Sequence, residues 1–343
     1  MGNGKNGRWR HSWRLAILLA AHLWLVLRHP RLMFQFRAKL GYWPNPAVPR
    51  TYHERVLWRK ILDHDPLFET FSDKLAAKQY LREKAPELKL PATLWVGSRP
   101  QDIPDPLFGG GAILKTNHAS GIAIVPSRDR RDRDEIVAEL GRWLRKPFGR
   151  TAGEWAYQGL PRQVFAEELL ALGGNALPTD IKVHVFGGRV GHVWLEDKQR
   201  RLSAVVDADG NFVPCRDSDY PREDQVFPVS ESVVELARQA MALAVRIADA
   251  SDYLRIDFLV TAAGLYGGEI TVYSGSGYGT WSNPAIMNRA AELWDLRRSW
   301  FMRQPHRGLV ALYVDALGAQ CDLGACGRRA ASDQAAVSAG RGP

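Results

Sequence analysis

Apolar positions change their spacing several times along the chain, and those changes divide it. Leu15 to Leu27 (LAILLAAHLWLVL) is a continuous apolar run behind a basic start. It has no convincing small-residue cleavage site, and thirteen residues with His22 inside fall short of the roughly 20 that span a bilayer. A helix that packs on the body or lies in an interfacial layer is predicted instead. Residues 28–50 end in GYWPNPAVPR, whose prolines break helix and mark a boundary. Thr51–Ile61 and Asp73–Lys84 carry helical spacing, the second with Ser72 or Asp73 as N-cap. Leu90–Val96 and Ala112–Lys115 read as strands, Arg133–Arg145 as a helix, and Val164–Leu170 as a short apolar run that periodicity does not assign. Asp180–Val185 alternates strictly, turns at Gly187-Gly188 and resumes over Val190–Leu195; Ser232–Asp249 holds one apolar face for four turns. From about Ala316 the chain becomes Gly/Ala/Ser-rich, which predicts a disordered tail over 316–343.

Two further strand patterns carry polar residues two apart inside apolar runs: Arg255 and Asp257 in Leu254–Val260, Glu269 and Thr271 in Gly268–Gly277. Side chains alternate faces along a strand, so each pair shares a face. The short connector TAAGLYG predicts an antiparallel pairing that gathers Asp257, Glu269 and Thr271 beside the Arg255 guanidinium. Carboxylates suit Mg²⁺ together with phosphate oxygens, and the Arg fork suits an oxyanion. The plain alternative is a half-exposed hairpin with a solvated Arg–Asp pair.

Charge sharpens the division. Residues 1–60 hold twelve Lys and Arg against the single acid Glu54, so the rest, with 34 basic and 36 acidic residues, nets −2. That asymmetry disfavours nucleic acid as a partner and fits an anionic membrane surface or an acidic partner. Cys215, Cys321 and Cys326 form neither a disulfide framework nor a metal pattern, so a reducing compartment is expected.

Four more elements carry candidate chemistry. Lys74 opens a helix, and Lys115 ends a strand before the small-residue loop Asn117-His118-Ala119-Ser120-Gly121. Glu167 and Glu168 sit in the unassigned run, and Asp180 and Lys182 share a strand face. Taken singly these read as a polar turn, a solvated helix face and a surface salt bridge. Their order resembles the ATP-grasp superfamily, and within it the TupA-like ATP-grasp proteins associated with bacterial cell-surface polysaccharide synthesis. The residues carrying the resemblance are SDKLAAKQYL (72–81), ILKTNHASG (113–121), RQVFAEELL (162–170), DIKVHVFGGRV (180–190), LRIDF (254–258) and GGEITVYSGSG (267–277), with TYHERVLWRKI (51–61) leading in.

The resemblance, over roughly residues 50–310, implies an α+β fold of two lobes holding ATP between them; charge and composition place a basic N-terminal helical segment over 1–50 outside it. The catalytic body would be 51–315, its first lobe about 71–160 and its second about 161–315. It implies that Lys74 and Lys115 contact phosphates, that Asn117, His118, Ser120 and Gly121 cover them, and that Glu167, Glu168 and Leu169 hold adenine through backbone groups. Asp180 would accept the ribose hydroxyls, Lys182 reach the transferred phosphate, and Arg255 stabilise an acyl phosphate or the oxyanion formed from it. Asp257, Glu269 and Thr271 would hold Mg²⁺, or Mn²⁺ in its place; Thr271 stands where many relatives carry Asn, and Ser274 where the family pattern often has Pro. The implied activity is ATP-dependent ligation of a carboxylate to an amine or related nucleophile, in the cytoplasm or at the inner membrane face, with polysaccharide-linked partners. The alternatives are a sugar phosphotransferase, a non-catalytic nucleotide-binding subunit, and a glycosyltransferase using Asp63-His64-Asp65 or Asp207-Ala208-Asp209, the latter also reading as a hairpin turn.

Overall fold

The structure is a computed structural model that describes residues 3–173 and 177–321, with side chains from Ser12 onward. In chain order the elements are α1 (Asn3–Arg28), α2 (Pro30–Leu40), α3 (Tyr52–Ile61), α4 (Leu67–Ser72), α5 (Lys74–Lys84), β1 (Thr93–Gly97), α6 (Pro106–Gly109), β2 (Ala112–Thr116), α7 (Arg133–Arg145) and β3 (Val164–Glu168). There follow β4 (Asp180–Phe186), β5 (Arg189–Asp197), β6 (Leu202–Val206), β7 (Phe212–Val213), α8 (Glu231–Ile247), β8 (Tyr253–Thr261), β9 (Gly264–Thr271), α9 (Pro284–Leu293), α10 (Trp300–Arg303) and α11 (Gly308–Cys321).

The chain divides into two compact units, one formed by both chain ends up to Asp63 and from Asp295, the other by His64–Trp294. In the first, Thr51 and Glu54 close a capping box on α3. Long-range polar contacts then join the ends: Trp58 donates to the Tyr313 hydroxyl (2.9 Å), Tyr313 to the Ala47 carbonyl (3.0 Å), and the Phe301 amide to Asp63 (2.8 Å). The N-terminal segment therefore extends to residue 63 and closes with the chain's other end, where a boundary at 50 was expected. Residues 316–321, placed in the expected tail, are helical. Tyr313, Ala316 and Leu317 are buried at helical spacing, which holds α11 together through Cys321 despite its Gly/Ala-rich composition; residues 322–343 lie outside the described set.

The second unit is built on two antiparallel sheets, β1-β3-β2 and β7-β6-β5-β4-β8-β9, giving the mixed α+β class expected. β3 lies in the middle of the small sheet with Val164 to Glu167 all buried, which is why periodicity leaves it unassigned. One face of that sheet packs on α7 through Leu114, Val164, Ala166, Ile136 and Leu140. α8, N-capped by Ser230, lays its small buried residues Ala237, Ala240 and Ala244 against the large sheet. The strand expected over Gly268–Gly277 is displaced towards the N-terminus. β9 starts after the tight turn at Ala262-Ala263 and ends at Thr271, because Gly275, Ser276 and Gly277 take left-handed φ values of 54°, 54° and 73° and curl the chain.

Candidate active site

The alternating positions of β4, β8 and β5 give the large sheet two unlike faces. Ile181, Val183, Leu254, Ile256, Val193 and Leu195 form an apolar face. On the other side stand Asp180, Lys182 and His184, Arg255 and Asp257, Glu196, Trp194 and His192. Two bulges make this face coherent. In the β8–β9 hairpin the pairing runs Phe258↔Gly267 and then Asp257↔Glu269, so Gly268 is the extra residue. Without that slip Glu269 would point to the apolar side. Only glycine fits, since a Cβ at Gly268 would lie 2.8 Å from the Asp257 carbonyl oxygen. In β4–β5 the slip between Val185↔Val190 and His184↔His192 leaves Gly191 extra and turns His192, Trp194 and Glu196 inward; a Cβ there would meet the Phe186 ring at 2.6 Å.

Charges on this face are paired within the protein. Arg255 grips Asp257 with two bonds (2.7 and 2.6 Å) and also donates to Ser274 (2.9 Å) and Thr271 (3.1 Å). Lys74, from the start of α5, reaches Glu269 at 2.7 Å. Lys182 is ion-paired with Glu196 and lies 3.9 Å above the Trp194 ring, while Tyr220 donates to Glu196 at 2.6 Å. Asp180 accepts from Lys198 (2.8 Å) and Thr179 (2.7 Å). The two carboxylates expected to hold metal sit in opposed environments. Burial pushes Asp257 up against the pull of Arg255 and Lys182; at Glu269 burial also acts upward, but Lys74 and Arg255 outweigh it and hold the carboxyl below its ordinary value.

The small sheet contributes a second cluster. Lys115 and Lys78 both pair with Glu167, a buried carboxylate that the two ammonium groups hold below its ordinary value in spite of burial. Lys78 also donates to the Pro91 carbonyl (2.7 Å) and Thr93 (3.0 Å). Glu167 is thus no solvated helix residue, whereas Glu168 is exposed and accepts from the Ala92 amide. The phosphate-covering loop is divided. Asn117 is a bolt: its amide donates to Asp73 and Pro161 (2.8 Å each) and accepts from the Gln163 amide (2.9 Å). His118 is buried with neither ring nitrogen hydrogen-bonded, so only Ser120 and Gly121 face outward. The amides of Glu168 and Leu169 donate to Ala92 (2.8 Å) and Gly111 (2.9 Å), which leaves any base recognition by Glu167–Leu169 to their carbonyls and to the residues that follow.

Lys78, Glu196, Lys198 and Trp194 were not among the sequence candidates. Lys78 was signalled one helical turn after Lys74, and Glu196 two residues after Trp194, but the partners of both depend on pairings formed across the fold. The Asp-x-Asp alternatives have structural partners: Asp63 accepts from the distant Phe301 amide (2.8 Å), Asp65 from the Leu67 amide (3.0 Å), and Asp207 from the amides of Asp209 and Asn211 (2.9 Å each) in a hairpin turn. Among the described residues no three His, Cys, Asp or Glu side chains converge on a metal cage. Two adjacent carboxylates with a hydroxyl are a donor set that fits Mg²⁺ when phosphate oxygens complete its shell.

Residues 54–287 match the TupA-like ATPgrasp family. The chain belongs to that family. The two-sheet unit is accordingly an ATP-grasp fold. No curated protein matches the chain. Among solved structures, D-alanine–D-alanine ligase from Bacillus anthracis complexed with ATP is similar at 16% identity and TM-score 0.34, over 59% of this chain and 54% of that one. An L-amino acid ligase from Bacillus licheniformis gives 12%, 0.37, 61% and 44%, and a RimK domain ATP-grasp protein from Sphaerobacter thermophilus 13%, 0.40, 77% and 94%. This chain thus spans about half the length of the first of these ligases.

Proposed function

We propose that this TupA-like ATP-grasp protein is an ATP-dependent ligase that joins a carboxylate to an amine through an acyl phosphate, in the building of a bacterial surface polysaccharide. The observation that carries the reading is the cross-strand pair Asp257–Glu269, flanked by Arg255, Lys182 and Lys74 on a face where nothing else calls for buried charge. Family membership supports the polysaccharide setting. Asp257, Glu269 and Thr271 would hold Mg²⁺, which when bound neutralises phosphate charge.

In the proposed reaction a substrate carboxylate oxygen attacks the γ-phosphorus of ATP, the bond to the β–γ bridging oxygen breaks, and ADP leaves. An amine nitrogen then attacks the acyl carbon, the bond to phosphate breaks, and inorganic phosphate and a proton depart. Lys74, Lys115 and Lys182 would exchange their carboxylate partners for phosphate oxygens, each keeping a counter-charge throughout. Arg255, fixed by Asp257, Ser274 and Thr271, would steady the acyl phosphate and the oxyanion made from it. Holding carboxylate and γ-phosphate in line supplies much of the acceleration.

The test is the fate of the phosphate. With ATP, Mg²⁺, hydroxylamine and a panel of carboxylates, the expected result is a hydroxamate formed in step with ADP and inorganic phosphate. A stable phosphorylated product without hydroxamate would replace the ligase with a phosphotransferase.

A further inference from the structure

α1 docks by one narrow stripe and turns a second apolar stripe to solvent. Leu18 and Leu25 are buried, and His22 between them is hydrogen-bonded to Asn45 (3.2 Å). On the outward side Leu15, Leu19, Leu23 and Leu27 succeed one another every four residues, with Leu19 61% and Leu27 79% exposed. Trp24 widens the stripe, and between Leu15 and Leu27 no charged residue interrupts it. The outward side of a docked surface helix is ordinarily polar. After a 90° bend α2 adds exposed Phe34, packed edge-on against exposed Trp43 at 5.3 Å. Exposed Arg28, Arg31, Arg37 and Lys39 surround this elbow, and no acidic residue precedes Glu54.

We propose that the α1–α2 elbow is a membrane-docking surface for anionic lipid headgroups, a role independent of the ligase reading. Leucines and tryptophans that enter the headgroup–acyl boundary, ringed by arginines facing lipid phosphates, are the chemistry of an interfacial helix. A second protein copy fits less well, since it would bring the same uncompensated positive charge to the contact. α1 and α2 together, bent by 90°, have the length and composition of a broken span, but the docked stripe of α1 disfavours one, and no single helix among the described residues is long and apolar enough to cross.

Co-sedimentation of the full chain with phosphatidylcholine vesicles, with and without about 30% phosphatidylglycerol, tests it at low and high salt. Binding to the anionic vesicles is expected to exceed that to neutral ones at least tenfold and to weaken with salt. Leu19→Ser/Leu23→Ser/Leu27→Ser, all at exposed positions, should lose binding at either salt, and Arg28→Ser/Arg31→Ser/Lys39→Ser should lose the preference for anionic lipid; both should keep the wild-type circular dichroism and ATP affinity. No vesicle binding by the wild type, or equal binding by the leucine variant, overturns the proposal. So does a wild-type dimer that the leucine variant abolishes when vesicles are not bound, since the elbow would then be a self-interface.

Discussion

Ile256 and Asp257 are consecutive in β8 and face opposite sides of one sheet. Ile256 lies between Val183 and Ile270, all at most 1% exposed, and burial of such side chains contributes about 1.5–3 kcal/mol each. Asp257 lies between Lys182 and Glu269 and is gripped by Arg255, so its desolvation is offset by pairing, with little net gain. A sheet wanting only stability would repeat the first arrangement on both sides. Stability alone therefore does not account for the charged face.

Changing these neighbours one at a time separates the two faces. Asp257→Asn and Glu269→Gln should each lower turnover by about 10³-fold or more, because in the proposed reaction the bound metal and phosphate would lose a charge facing them. Ile256→Ala should do the reverse, costing about 2–5 kcal/mol of stability with turnover per folded molecule retained. Urea denaturation paired with steady-state ATP turnover would check both. Should Asp257→Asn lose stability as Ile256→Ala does, and keep its turnover, the two faces would not differ in kind.

Alternation along single strands made much of this face legible. Arg255–Asp257, Glu269–Thr271 and Asp180–Lys182 stand out as polar pairs two apart, and the structure brings all six onto one face. The bulges that bring Glu269 and Glu196 over were not legible, since an extra glycine in a strand looks like any other glycine until its partner strand is known. Glu167 was obscured for a related reason: a central strand buried on both faces has no period to read. α11 beyond Ala316 was hidden by composition, its three buried positions scattered among small residues.

The next effect isolates that register. Gly268→Ala puts a methyl group 2.8 Å from a backbone oxygen, which only strand movement relieves, and the displaced carboxylates are those of Asp257 and Glu269. About a 10²-fold loss of turnover is expected from a shift of the order of 1 Å, with the far-ultraviolet circular dichroism kept. Gly264→Ala, where a Cβ meets nothing within 4 Å but φ is +104°, is the control for strain without register change. Equal losses of turnover in the two variants would assign the effect to backbone strain and remove the bulge from the account of the site.

At its far end the charged face turns neutral. His184 and His192 stack at 4.0 Å; Tyr253 shares a hydrogen bond with His184 Nδ1 (3.1 Å), and neither nitrogen of His192 has a partner. Trp281 meets His192 edge-on at 5.8 Å. Burial holds His192 neutral, pushed down to about 3, and His184 well below its ordinary value. An unfolded His takes up a proton near pH 6.5 and the folded His192 does not, so stability is complete at neutral pH and falls as pH drops through 6.5 towards 3. Between pH 8 and 5.5 His192 alone should cost about 1.4 kcal/mol. His192→Phe keeps the stack, removes two unsatisfied nitrogens and cannot titrate. Its stability should match or exceed the wild type at pH 8, and its decline to pH 5.5 should be shallower by that amount in parallel urea titrations. An unchanged slope would mean that His192 is protonated within the folded sheet, and that the charged face extends beyond Arg255.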